Sequence, residues 1–84
     1  MWRIEFTNIA RKSLAKMPLP DALRIERAIG DMAADPLAGD VKRLSGQAEF
    51  RKRVGDWRII FRLQRATILV TIIDVRRRNE RTYE

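Results

Sequence analysis

The chain has 84 residues, of which 45% are hydrophobic, and a net charge of +7 from 18 basic and 11 acidic residues. This length and composition predict a single domain over residues 1–84 with a packed core. The absence of cysteine and histidine excludes disulfides, thiolate metal sites and serine-protease-like triads. The sequence also lacks a long apolar run and a signal-peptide layout at its beginning. We therefore expect a cytoplasmic protein with no membrane association, metal or cofactor.

The sequence begins with a predicted strand and helix. Trp2, Ile4 and Phe6 alternate with polar residues, which is typical of a short strand. Thr7 or Asn8 is expected to cap the helix that follows, because their side chains accept hydrogen bonds from the first helical turn. The apolar face of this helix is formed by Ala10, Leu14 and Met17.

A second helix is predicted after a proline-containing break. Pro18 and Pro20 end the first helix and begin the next, with Pro20 in its first turn. The Asp35-Pro36 pair is expected to close the second helix, because a residue before proline avoids the helical region. The two helices are expected to form an antiparallel hairpin. The apolar stripe of the second helix contains Ala22, Ile25, Ile29 and Met32.

The second half of the sequence predicts an antiparallel meander. A loop over Leu37–Gln47 leads into strands at Ala48–Val54, Trp57–Leu63 and Thr67–Val75. The Gly55-Asp56 pair between the first two strands favours a tight two-residue hairpin. Together these patterns predict an α+β fold in which an N-terminal strand and three meander strands form one sheet, with both helices on one face.

The hairpin register separates apolar from basic side chains. A two-residue turn places Val54 opposite Trp57 and Arg53 opposite Arg58. Because side chains alternate between faces, one face packs on the helices, with Lys52 reaching out to solvent. That face is Phe50, Lys52, Val54, Trp57, Ile59, Phe61 and Leu63. The other face is Glu49, Arg51, Arg53, Arg58, Ile60 and Arg62.

The excess positive charge lies in one half of the sequence. Residues 1–41 carry six basic and six acidic groups, whereas residues 42–84 carry twelve basic and five acidic groups. Arginine dominates the second half, where Lys42 and Lys52 are the only lysines. Guanidinium groups bind phosphates in bidentate fashion, so this asymmetry favours a nucleic acid or another polyanion as ligand. The alternative is a solvated surface in which Arg53 or Arg58 pairs with a carboxylate such as Asp74 or Glu80.

The order of elements and the basic positions resemble the toxins of the RelE/ParE superfamily from bacterial type II toxin–antitoxin systems. The most specific match is the run from Arg51 to Phe61. The resemblance also includes Trp2–Phe6, Asp35-Pro36, Lys42–Gly46 and the closing segment from Val75 to Tyr83. It therefore extends over nearly the whole chain.

The resemblance implies a function, and the RelE-like branch is the closer one. Toxins of that branch cleave messenger RNA in the ribosomal A site without a metal, and so inhibit translation. In that reaction the 2′-hydroxyl attacks the adjacent phosphate and the 5′-oxygen leaves. The catalytic positions of this branch match Arg51, Arg53, Arg58, Arg78 and Tyr83. Further RNA-binding residues are expected at Lys42, Arg43, Arg62, Arg76, Arg77 and Arg81.

The sequence departs from the nuclease pattern at Arg51, where relatives often have a lysine that acts as general base. Arginine hardly deprotonates in proteins, so Arg51 is a poor base. Two other functions therefore stay open. One is inhibition of DNA gyrase, as in the ParE branch, and the other is a non-toxic relative that only binds an antitoxin and represses its operon.

The resemblance also implies partners. We expect a cognate antitoxin with an acidic amphipathic segment, together with the ribosome and messenger RNA. A toxin–antitoxin hetero-oligomer would bind operator DNA through the antitoxin.

Overall fold

The computed structural model describes residues 1–44 and 48–77, and these form two helices and five strands. In chain order the elements are β1 (Arg3–Phe6), α1 (Asn8–Lys16), α2 (Leu19–Asp31), β2 (Val41–Arg43), β3 (Glu49–Val54), β4 (Trp57–Gln64) and β5 (Leu69–Arg77). The strands form one sheet in the order β1-β5-β4-β3-β2. β1 runs parallel to β5, and the other neighbouring strands are antiparallel. The predicted α+β fold is confirmed.

The prediction of a continuous loop over Leu37–Gln47 is wrong at its centre, where β2 extends the sheet along the edge of β3. Val41 pairs with Lys52 and Lys42 with Arg51. Backbone hydrogen bonds continue the pairing on both sides, from Arg53 N to Asp40 O at 3.0 Å and from Leu44 N to Glu49 O at 2.9 Å. A strand of three residues is too short to show an alternating pattern, so its sequence gives no signal.

The helix boundaries follow local rules. Thr7, one of the two predicted caps, accepts a hydrogen bond on Oγ1 from Ala10 N at 3.1 Å and donates to Ile73 O at 2.6 Å. The first helix ends because Met17, which precedes Pro18, adopts an extended conformation. The second helix has its proline in the first turn and ends at Asp31, ahead of the Asp35-Pro36 pair. No helix in the described part of the chain is long and apolar enough to cross a membrane.

One core joins both helices to one face of the sheet. The helices contribute the predicted apolar stripes, and β4 and β5 contribute alternate residues from the same face. The Phe50 ring stacks on Phe61 with 5.5 Å between the ring centroids, while Trp2 and Trp57 pack partly buried against the core. The buried core residues are Ala10, Met17, Ala22, Ile25, Ile29, Met32, Ile59, Phe61, Leu63, Val70, Ile72 and Val75.

The register of the β3–β4 hairpin agrees with the prediction at every pair. Val54 lies opposite Trp57, and Arg53 lies opposite Arg58. Lys52, on the helix face, extends to the edge of the sheet, where its Nζ donates to Ala38 O at 2.6 Å. The last strand begins at Leu69 rather than at Thr67, because the preceding Ile68 has a left-handed φ of 52° that a β-strand cannot include.

Substitution by alanine is expected to have opposite effects on stability at Gly55 and at Gly30. Gly55 has a φ of +59° in the hairpin turn, and an added Cβ would lie 2.7 Å from Arg24 Nη1. Gly55→Ala should therefore lower the free energy of unfolding by about 1–3 kcal/mol. Gly30 lies within α2, and an added Cβ there would meet nothing within 4 Å. Gly30→Ala should therefore raise the free energy of unfolding by roughly 0.5–1 kcal/mol. Urea unfolding of the two variants tests both values. An unchanged free energy of unfolding in Gly55→Ala would contradict the left-handed conformation of Gly55 in the turn.

Candidate functional site

A basic pocket lies on the sheet face opposite the helices. Its volume is about 320 Å³. The residues that line it come from four strands and the segment after β2: Lys42, Leu44, Arg51, Arg53, Arg58, Ile60 and Arg76. Five of these seven residues are cationic, so the pocket is built to hold an anion.

Three of the arginines form one row across three strands. Arg53 on β3 pairs with Arg58 on β4, and Arg58 pairs in turn with Arg76 on β5. Directly opposed side chains on neighbouring strands have Cβ atoms about 5 Å apart, and like charges at that distance are destabilising. We call Arg53, Arg58 and Arg76 the arginine row. Its central member, Arg58, is half-buried, and its Nε atom is shielded from solvent.

A second row of paired residues lies two positions further along the strands. Lys42 on β2 pairs with Arg51 on β3, which pairs with Ile60 on β4. Arg53 and Arg51 are two residues apart on one strand and one face, a separation of about 7 Å between their backbone positions. The pocket therefore presents cations in two directions, across the strands and along them.

A β-bulge decides which C-terminal arginine enters the pocket. Ile60 pairs with Asp74 while the next residue, Phe61, pairs with Ile72, so Ile73 is an extra residue in β5. The extra residue reverses the facing of the positions that follow it. As a result Arg76 joins the arginine row. Arg77 instead lies opposite Trp57 on the helix face, with its guanidinium carbon 5.1 Å from the Trp57 ring centroid.

Two carboxylates bind pocket arginines. Asp40 Oδ1 lies 3.4 Å from Arg51 Nη1, and the Arg51 side chain is only 13% exposed. Asp74 Oδ2 lies 2.9 Å from Arg76 Nε. These pairs hold two of the guanidinium groups in fixed positions. The Asp74 carboxylate, named from the sequence as a partner for Arg53 or Arg58, binds Arg76 and the Ser13 hydroxyl. Glu80 lies outside the described residues.

The structure brings together five of the residues that the sequence assigned to the site. Arg51, Arg53 and Arg58 from the catalytic set and Lys42 and Arg76 from the RNA-binding set all line the pocket. The remaining assignments lie elsewhere. Arg62 shares the face but is bound by Glu49 at 3.0 Å, Arg43 pairs with Phe50 on the helix face, and Arg77 covers Trp57. Arg78, Arg81 and Tyr83 lie outside the described residues.

Sequence reasoning missed Asp40 as a contributor to the site and did not predict that Asp74 binds Arg76. Asp40 gave no signal, because its position at the start of β2 depends on a strand that was not predicted. Asp74 did give a signal, since it is the one acid within the apolar run of β5, but its partner depends on the bulge. No group of three or more acidic residues within residues 1–44 and 48–77 is placed to hold a metal ion.

Removal of one charge from the arginine row should change the stability of the protein by an amount that depends on salt concentration. Arg53→Gln removes one charge from the arginine row and should raise the free energy of unfolding by about 0.2–1 kcal/mol at low ionic strength. The gain should shrink in 1 M salt, where charges are screened within about 3 Å. Arg62→Gln is the matched control, because it breaks the pair with Glu49 and relieves no opposed arginine. Equal effects of the two substitutions in urea unfolding would contradict repulsion within the row.

Solved toxin–antitoxin structures share the fold. A chain of the archaeal RelE–RelB complex from Pyrococcus horikoshii superposes with a TM-score of 0.84 at 21% identity, over 95% of this chain and 98% of that chain. The isolated E. coli RelE toxin gives a TM-score of 0.83 at 12% identity, over 99% of this chain and 90% of that chain. The Mycobacterium tuberculosis toxin–antitoxin complex RelBE2 contains a chain with 30% identity and a TM-score of 0.78, over 92% of this chain and 98% of that chain.

Sequence comparison shows the family. No curated protein sequence matches the chain. The model of the ParE toxin of type II toxin–antitoxin systems matches residues 4–82, which is almost the full length. The chain is therefore a toxin of a type II toxin–antitoxin system and belongs to the ParE toxin family of the RelE/ParE superfamily.

Proposed function

We propose that this toxin is a ribosome-dependent endoribonuclease that cleaves messenger RNA without a metal and so inhibits translation. The observation that carries the proposal is the arginine row, because Arg53, Arg58 and Arg76 oppose one another on three strands within one pocket. A fold tolerates such repulsion when an anion normally lies between the charges. An RNA backbone supplies phosphates at a spacing that matches cations about 7 Å apart along β3.

The reaction requires that negative charge be stabilised on one phosphate. The 2′-oxygen of a nucleotide bonds to the adjacent phosphorus, the bond from phosphorus to the 5′-oxygen breaks, and a 2′,3′-cyclic phosphate remains. The 2′-hydroxyl proton passes to a base or to water, and the leaving 5′-oxygen takes up a proton. Charge increases on the non-bridging oxygens, where preorganised guanidinium groups are most effective. Arg58 is suited to this role because it is central, half-buried and held by a strand on each side.

The neighbouring residues have supporting roles in the proposal. Arg53 and Arg76 would share the charge of the reacting phosphate. Arg51 would lie beside the attacking 2′-hydroxyl, and Lys42 would bind the next phosphate along the strand. The family resemblance adds Arg78 near the leaving oxygen, and Tyr83 as a stacking platform for a base or as a proton carrier. Arg62 and Arg81 would follow the RNA backbone outside the pocket.

We further propose an acidic antitoxin segment that covers the basic pocket in the inactive complex. The solved relatives include toxin–antitoxin complexes from an archaeon, a mycobacterium and E. coli. A carboxylate-rich segment would neutralise the arginine row as an RNA backbone does, so antitoxin and RNA would exclude each other. The hetero-oligomer would bind operator DNA through its antitoxin.

Inhibition of DNA gyrase is the second candidate function, and the match to the ParE family model favours it. The family resemblance implies that gyrase-inhibiting members lack the basic active-site set. Three positions of that set, Arg51, Arg53 and Arg58, line the pocket, which supports the nuclease as the preferred proposal. Gyrase inhibition would produce DNA breaks and leave messenger RNA intact.

Arg58→Ala should reduce cleavage on the ribosome by about a hundredfold or more, because one preorganised charge stabiliser is lost. Purified protein is added to ribosomes translating a defined message, and primer extension maps the new 5′ ends. Arg65→Ala is the matched control, since it removes the same charge from the exposed β4–β5 turn and should leave cleavage at the wild-type rate.

Cuts within A-site codons that persist unchanged in Arg58→Ala would contradict the assignment of the pocket. An intact message with both the wild type and Arg65→Ala would contradict the nuclease itself. Supercoiling inhibition by the wild type would then support the gyrase candidate.

Arg51→Lys should increase the rate of cleavage. Lysine occupies this position in many nuclease relatives and can take up the 2′-hydroxyl proton, whereas arginine remains protonated. The lysine is expected to raise kcat with little change in KM, because both side chains keep a positive charge in the pocket. Single-turnover cleavage on programmed ribosomes measures this directly. A rate at or below that of the wild type would show that Arg51 is not at the position of a general base.

A further inference from the structure

Asp74 is a buried carboxylate that the proposed reaction does not use. It lies in β5 directly after the bulged Ile73 and is 9% exposed. Its Oδ1 accepts hydrogen bonds from Ser13 Oγ and from Val75 N, both at 2.7 Å, and its Oδ2 accepts from Arg76 Nε at 2.9 Å. Two elements, α1 and β5, thus supply the donors for one carboxylate.

Burial of a carboxylate is costly unless its oxygens are hydrogen-bonded, and an apolar side chain of similar size would avoid that cost. The neighbours of Asp74 in β5 are Ile72, Ile73 and Val75, so an apolar residue would continue the local pattern. The fold alone therefore does not require an acid here. The three hydrogen bonds fix the carboxylate, and their result is one oxygen aimed at Arg76.

We infer that Asp74 is a positioning residue that holds Arg76 in the arginine row, and that Ser13 on α1 fixes the Asp74 carboxylate in turn. The inference rests on the proposed function, in which Arg76 contacts the phosphate of bound RNA. The bond to Asp74 uses the donor on Nε of a guanidinium that has five N–H donors. It orients the plane of the group, while the Arg76 side chain stays 45% exposed and lines the pocket.

Preorganisation explains why a carboxylate is useful beside a phosphate-binding arginine. A long side chain loses rotamer freedom when it binds RNA. If Asp74 already fixes Arg76, that loss occurs on folding rather than on binding. The arrangement also keeps Arg76 beside Arg58 despite the repulsion between them.

A double-mutant cycle tests the inference against a purely structural role of Asp74. Asp74→Asn, Arg76→Ala and the double variant are compared with the wild type for kcat and KM in cleavage on the ribosome. We expect roughly a tenfold or greater loss for Arg76→Ala and a smaller loss for Asp74→Asn. The double variant should be no slower than Arg76→Ala, because Asp74 acts through Arg76.

Two further variants keep the result interpretable if Asp74→Asn unfolds. Ser13→Ala removes one hydrogen bond to the carboxylate without changing its charge, and should lower cleavage only when Arg76 is present. Glu26→Gln changes an exposed carboxylate on α2, a helix on the other side of the sheet from the pocket, and should leave cleavage unchanged. Thermal unfolding of each variant identifies losses that follow stability alone.

Additive losses in the cycle would overturn the inference, because Asp74 would then act independently of Arg76. Unchanged cleavage in Arg76→Ala would overturn it as well. A wild type that cuts no message would instead contradict the proposed function, and the inference on Arg76 would fall with it. Cleavage by the wild type together with an additive cycle would leave the nuclease standing and reject only the role of Asp74.

Discussion

Electrostatic repulsion within the arginine row is the constraint on which the rest of the structure depends. Arg53, Arg58 and Arg76 oppose one another across three neighbouring strands, and nothing in β-sheet stability favours that arrangement. The opposite face of the same strands offsets it, since Ile59, Phe61 and Val75 are buried there against both helices. The sheet is thus apolar on one face and cationic on the other. Within the described residues, Asp40 binds Arg51 and Asp74 binds Arg76.

Local patterns were sufficient to predict the hairpin and most of its site. The two-residue turn at Gly55-Asp56 sets the register of β3 and β4, and strict alternation then assigns Arg51, Arg53 and Arg58 to one face. The apolar stripes of the two helices predicted the helical part of the core. Apolar residues spaced three and four apart share one helix face, whatever the tertiary structure.

What the sequence could not show depends on contacts between distant segments. β2 has three residues and exists because the edge of β3 offers backbone hydrogen bonds. The bulge at Ile73 reverses the facing of the residues after it, so that Arg76 rather than Arg77 enters the pocket. Neither feature has a local signature, because both arise from pairing with a neighbouring strand. The roles of Arg78 and Tyr83 rest on family resemblance.

Membership of the ParE toxin family shows that the protein is a toxin, and the basic pocket is the feature on which we base the nuclease proposal. Phosphoryl transfer without a metal depends on preorganised cations such as these arginines. Arg51 in place of lysine keeps the charge of the site and removes a base. The nuclease that we propose would therefore combine strong charge stabilisation with weak base catalysis.

The most direct test of this account replaces a single 2′-hydroxyl in the substrate. A defined message on a programmed ribosome carries one 2′-deoxynucleotide immediately 5′ of the bond that the wild-type protein cuts in the all-ribose message. We expect cleavage of the all-ribose message to a 5′-hydroxyl end and no cleavage at the substituted position. Equal cleavage of the two messages, or of neither, would contradict 2′-hydroxyl attack within the arginine pocket.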